Sequence, residues 1–125
     1  MAMVKLTFCI RKLPDMSLAE FQRYWLENHG PLVRERAEVL GIKRYVQVHR
    51  WDSPANEAMR ASREAAEPYD GVAELWWTSI EAMAAATSSP EGRQAGKELL
   101  DDERKFIDLR RSALWVGEEH ELVAG

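Results

Sequence analysis

The stretch VKLTFCIRKLPDMSLAEFQRYWLENHGPL, residues 4–32, changes its hydrophobic period partway along, and that change decides how the fold is read. From Val4 to Arg11 the pattern alternates, with Val4, Leu6, Phe8 and Ile10 on one face and Lys5, Thr7, Cys9 and Arg11 on the other, as in a strand. Leu13-Pro14-Asp15-Met16 reads as a turn, and Ser17 with Glu20 has the spacing of a capping box opening a helix. Leu18, Phe21, Trp25 and Leu32 then share one side, and the helix is expected to break near His29-Gly30-Pro31. Pro31 suits the start of a shorter helix with Val33, Ala37 and Leu40 inward and Gly41 at its end.

Beyond it, a second strand is expected over 42–51, with Ile42, Arg44, Val46 and Val48 on one face and Tyr45, Gln47, His49 and Trp51 on the other. The connection from Asp52 to Asp70 holds a helix-prone segment over 57–67. Hairpin loops are mostly about 2–5 residues, so so long an insert is expected to act as a lid over a pocket mouth. Gly71 to Thr78 reads as a third strand, with Ala73, Leu75 and Trp77 opposed to Val72, Glu74 and Trp76. Ser79 caps a helix ending at Thr87-Ser88-Ser89-Pro90. A further helix over 91–109 carries Leu99, Leu100, Phe106 and Ile107, with Asp101-Asp102-Glu103 as a solvated acidic patch. A last extended segment runs over 112–123. The order βαββαβ is the ferredoxin-like arrangement of an α+β fold with an antiparallel sheet. Its uncovered sheet face implies a second copy, closing a dimeric α+β barrel with residues 113–125 as a possible arm at the interface.

The 125 residues suit a single domain over 1–125, and 46% hydrophobic with 30% charged residues is too apolar for disorder. Five Trp, three Tyr and three Phe need a full core, an interface or a pocket to bury them. A net charge of -4 without segregated Lys and Arg argues against nucleic acid. The start runs directly into a strand pattern without a secretory signal, and no apolar run is long enough for a membrane span. One cysteine, Cys9, reads as a small buried hydrophobe in a reducing, cytoplasmic setting.

The run Phe21-Gln22-Arg23-Tyr24-Trp25-Leu26-Glu27-Asn28-His29-Gly30-Pro31-Leu32-Val33, followed by Tyr45-Val46-Gln47 and Tyr69-Asp70-Gly71-Val72-Ala73-Glu74-Leu75-Trp76, resembles the EthD family. The likeness continues through Asp102-Glu103 and Phe106-Ile107-Asp108 to the Trp115 strand, and its most specific part is Trp-x-x-x-His-Gly-Pro. It implies a dimeric α+β barrel, a superfamily with polyketide cyclases, muconolactone isomerases and cofactor-free mono-oxygenases. The family's link to oxidative ether degradation implies a pathway association. This chain itself has no dinucleotide loop, haem-attachment motif or cysteine cluster, so no cofactor is expected.

Among candidate site residues His29 comes first. At about 100° per residue it falls on the helix face that meets the sheet, partly desolvated and near a helix end, as a general base requires. The alternative is a histidine that bonds freed helix carbonyls. Tyr45 and His49 share a strand face with Gln47, toward either the helices or a partner sheet, as groups that could polarise a carbonyl or simply make cross-strand or interface hydrogen bonds. Trp25, Trp76 and Trp77 could stack on a flat substrate or be core. Asp70 and Glu74 flank the region as turn and interface charge, and His120 reads as solvated. No histidine pair has metal-ligand spacing, so no metal is expected. The leading expectation is a pocket for a small apolar or aromatic carbonyl compound, running cyclisation, dehydration or isomerisation with His29 as base. A metabolite-binding accessory protein of an oxidative pathway and a cofactor-free mono-oxygenase are the alternatives.

Overall fold

The computed structural model describes residues 3–125. Four strands, β1 (Val4–Ile10), β2 (Arg44–His49), β3 (Gly71–Trp77) and β4 (Ala113–Glu118), form one antiparallel sheet in the order β2-β3-β1-β4. Helices α1 (Leu18–Tyr24), α2 (Gly30–Leu40), α3 (Pro54–Arg63), α4 (Ile80–Ser88) and α5 (Pro90–Glu103) connect them, giving the ferredoxin-like α+β fold that the period changes predict. The register sets Leu6 opposite Leu75 and Val116, and Phe8 opposite Ala73 and Leu114. Tyr45, Gln47 and His49 pair with Leu75, Ala73 and Gly71, so all three point toward the helices. Trp25, Phe21, Phe106 and Ile10 are the largest fully buried side chains, and they join sheet, α1 and the end of α5 into one core.

The expected break at His29-Gly30-Pro31 is absent. The chain stays helical from Leu18 to Leu40 through one wide π-turn, Trp25–His29, in which the Gly30 N–H bonds the Trp25 carbonyl. Pro31 lacks an N–H, and the widened turn takes up the register at the point where its missing bond would otherwise leave a gap. The wide turn also resets the buried stripe. At about 100° per residue a four-residue step overshoots by about 40°, yet Phe21, Trp25, His29 and Val33 are all buried. Leu32, expected inward, is only half-buried.

Gly71 opens β3 directly beneath Trp25. A Cβ there would collide with Trp25 Cζ3 and lie 2.8 Å from Cη2 and 3.0 Å from the Val48 carbonyl oxygen. Because Trp25 is sealed in the core, Gly71→Ala is expected to destabilise the fold by about 2–3 kcal/mol, read by urea denaturation.

Candidate active site

Between the helices and the inner sheet face lies a mainly apolar cavity of about 230 Å³, walled by residues that include Phe8, Trp25, Leu75, Trp77 and Leu99. An apolar cavity of about 150 Å³ can hold benzene, so this one suits a single ring with a short substituent. Its polar lining comes from His29 on the π-turn, Tyr45 on β2, Glu103 at the end of α5 and Thr87 on α4, whose hydroxyl donates to the Met83 carbonyl at 2.7 Å.

His29 is 5% exposed, and its Nδ1 lies 2.8 Å from Asp102 Oδ2. The other carboxylate oxygen of Asp102 accepts the Tyr24 hydroxyl at 2.6 Å and faces Lys105 Nζ at 3.6 Å. Burial pushes the His29 imidazole below its ordinary value, which the hydrogen bond and charge of Asp102 only partly offset. Burial would raise Asp102, yet the hydrogen bonds from Tyr24 and His29, with the charges of His29 and Lys105, outweigh it and hold the carboxyl below its ordinary value. Tyr24 is pushed up to about 12 by burial and by the adjacent carboxylate. At neutral pH the pair is therefore an ionised carboxylate and a neutral imidazole that donates from Nδ1. Among the described residues Nε2 has no hydrogen-bond partner and is not a sealed, unsatisfied atom, so its lone pair is open toward the cavity.

Asp102 and Glu103 are not the solvated patch that three successive acids suggest. Only Asp101 is exposed, paired to Lys97 at 2.9 Å. Gly92, Ala95, Asp102 and Phe106 are all buried at helical spacing, and Leu99 between them is half-buried, so the inward stripe passes straight through the acidic run. That spacing was the available signal for both residues. Glu103 is pushed up to about 7, first by burial and then by the Asp102 charge. It is thus a carboxyl poised between acid and base on the same wall system as His29.

Tyr45 accepts a hydrogen bond from Gln47 Nε2 at 2.7 Å, leaving its own O–H to donate. The same Gln47 nitrogen reaches the Trp25 carbonyl at 3.0 Å, across Gly30, whose Cβ would lie 3.2 Å from that nitrogen. Since the Trp25 carbonyl can only accept, the Gln47 amide is oriented, and its Oε1 must accept from His49 Nε2 at 2.7 Å. His49 stacks on Trp25 with ring centroids 4.5 Å apart. His49 and Gln47 therefore stand behind Trp25. They line a second, outer groove between α2 and β2 rather than the cavity, and Tyr45 borders both spaces.

The tryptophans divide. Trp25 and Trp77 wall the cavity, with Trp77 Nε1 donating to the Leu40 carbonyl at 2.7 Å. Trp76 does not reach it: strand alternation puts Trp76 on the opposite sheet face, beneath Lys5 and Arg44 and bonded through Nε1 to Glu119 at 2.5 Å. Glu74 is on that outer face too, paired with Lys5, while Asp70 accepts the Lys12 backbone N–H at 2.8 Å. The expected lid is also displaced, because α3 buries no residue and walls neither the cavity nor the groove. His120 is exposed. Among the described residues no group of three His, Cys, Asp or Glu is arranged to hold a metal, and no helix is long and apolar enough to cross a membrane.

A family profile described as the EthD domain matches residues 13–110. The chain belongs to the EthD family. Among solved structures, it is similar to an ethyl tert-butyl ether D (EthD) family protein from Bacillus halodurans, at 24% identity and a TM-score of 0.62, covering 94% of this chain and 99% of that one. A dimeric protein of unknown function and ferredoxin-like fold from Bacteroides fragilis matches at 14% identity and 0.58, covering 94% and 96%. SnoaB, a cofactor-independent oxygenase from Streptomyces nogalater, matches at 14% and 0.58, covering 100% of both chains. At these identities the likeness is one of fold. Within this EthD-family chain the matched span includes His29, Tyr45, Asp102 and Glu103.

Proposed function

We propose that this EthD-family protein is a homodimer whose inner cavity deprotonates a small hydrophobic or aromatic carbonyl compound without a bound cofactor. The observation that carries the reading is the neutral His29, oriented by Asp102 through Nδ1 and open at Nε2. Nε2 takes a proton from the carbon beside the carbonyl, and the resulting imidazolium is stabilised by the Asp102 carboxylate. The Tyr45 O–H donates to the enolate oxygen as charge builds there. Protonated Glu103, on the same cavity wall, is a source for the proton that completes an isomerisation or expels water. His49 acts from behind, holding Gln47 and through it Tyr45.

A second copy would cover the outer sheet face, where Val48 and Trp115 are exposed, and the dimeric relative from Bacteroides fragilis supports that assembly. The similarity to SnoaB favours a second reading of the same first step: once His29 has removed the proton, the substrate anion reacts with oxygen.

Phenylacetaldehyde in heavy water tests the shared step. Wild type is expected to speed deuterium uptake at the carbon beside the carbonyl, and His29→Gln to return it to the buffer rate while keeping its fold. A general base contributes about 10²–10⁴-fold. Binding with no exchange would replace the enzyme reading by that of a metabolite-binding protein, and oxygen consumption with a dihydroxynaphthalene would select the oxygenase.

A further inference from the structure

The groove outside the cavity has a composition that the proposed deprotonation does not use. It runs between the α1–α2 helix and edge strand β2, with a volume of about 530 Å³, an apolar floor of Leu26, Ala37 and Ile42, and Arg34, Lys43 and Arg44 around it. No carboxylate lines it, in a chain whose net charge is -4. Among the described residues none of these three cations has a carboxylate oxygen within 4 Å. Arg44 is spoken for by the Trp76 ring, 4.7 Å away, which leaves Arg34 on α2 and Lys43 ahead of β2 as free bases on the two sides of the groove. Ile42 and Tyr45 belong to the walls of both groove and cavity, so a single layer of side chains separates the two spaces.

We infer that this groove is an acid-binding antechamber, in which Arg34 and Lys43 hold the carboxylate of a hydrocarbon-bearing acid whose apolar end lies on Leu26, Ala37 and Ile42 and points past Tyr45 to His29. An apolar floor between two unpaired cations fits an amphiphilic anion better than a bare inorganic one, because each end of the ligand then loses its water against a matching surface. The carboxylate would also fix which carbon of the ligand is offered at the Tyr45 partition, giving orientation as well as affinity. The inference rests on the deprotonation reading only for what happens beyond Tyr45.

Benzoate and its neutral isostere benzamide, titrated into the full chain by calorimetry and followed by NMR, test it. Benzoate is expected to bind at least tenfold more tightly than benzamide, to weaken as salt rises, and to shift the His49 and Lys43 signals. Arg34→Gln/Lys43→Gln is expected to abolish that tenfold preference while leaving benzamide binding unchanged, and both positions are exposed, so the fold should be unaffected. Equal affinity for benzoate and benzamide, benzoate binding unchanged in the double variant, or displacement of benzoate by inorganic phosphate at matched ionic strength would each overturn the assignment. Phenylacetaldehyde exchange by the wild-type chain separates the two readings: exchange that proceeds while benzoate binds no better than benzamide sinks the antechamber alone. Absent exchange with an intact preference sinks the deprotonation alone.

Discussion

In Asp102→Asn the ring proton of neutral His29 is expected to move from Nδ1 to Nε2, closing the lone pair that faces the cavity. Wild-type Asp102 accepts twice, from His29 Nδ1 at 2.8 Å and from the Tyr24 hydroxyl at 2.6 Å. An asparagine offers one accepting oxygen and one donating nitrogen, so only one of those bonds can survive unchanged. Lys105 Nζ, 3.6 Å from the oxygen that serves Tyr24, keeps the amide oxygen on that side. The amide nitrogen then faces His29 Nδ1 and donates to it, which requires Nδ1 to be bare. In a Ser-His-Asp triad the same acid-to-amide change costs about 10⁴ in turnover for this reason, and a loss of about 10²–10⁴ is expected in phenylacetaldehyde exchange. The tautomer is read from the imidazole ¹⁵N shifts, which a merely structural role for Asp102 would not move. A ring still protonated at Nδ1 in the variant would show that Asp102 does not set the base.

How far such a site can be read before folding is considered depends on which rule governs each residue. Alternation in β1, β2 and β3 and the Ser17–Glu20 capping box are local, and the positions of those strands along the chain and the helix start follow from them. Alternation also separates Trp76 from Trp77. It does not say which side is inward, and for β2 that is settled by pairing with Gly71, Ala73 and Leu75. The His29-Gly30-Pro31 stop signal is local as well, and here packing overrides it: Gln47 caps the Trp25 carbonyl, the turn widens, and the helix continues. Three consecutive acids normally mean a solvated face. In α5 they conceal two inward positions, because burial is decided by the stripe through Ala95, Leu99 and Phe106 and not by the charge of the neighbours.

Glu103→Gln is expected to be more stable than wild type above pH 7 and equal to it near pH 4. Glu103 has its carboxyl pushed up to about 7 in the folded chain, against an ordinary 4.5. Below 4.5 both the folded and the unfolded chain hold the proton, and the group is neutral to stability. As pH rises from 4.5 to 7 the unfolded chain releases its proton first, so the folded state loses ground, by about 3 kcal/mol once both have ionised. His29 and His49 are both lowered by burial, so they oppose this slope: the unfolded chain binds their protons as pH falls below 6.5, and stability rises with pH there. The wild-type curve is a sum of opposing slopes, and only the difference between wild type and Glu103→Gln isolates the carboxyl. Urea denaturation followed by tryptophan fluorescence from pH 4 to 9 measures it, and a difference that stays flat would mean that Glu103 ionises as a surface acid does. Asp102's charge is the second cause of the raised value, so in an Asp102→Asn background the gain from Glu103→Gln should shrink. Coupling of that sign would tie the two carboxyls to one site, with Asp102 kept ionised to orient His29 and Glu103 kept near neutrality to exchange a proton with what the cavity holds.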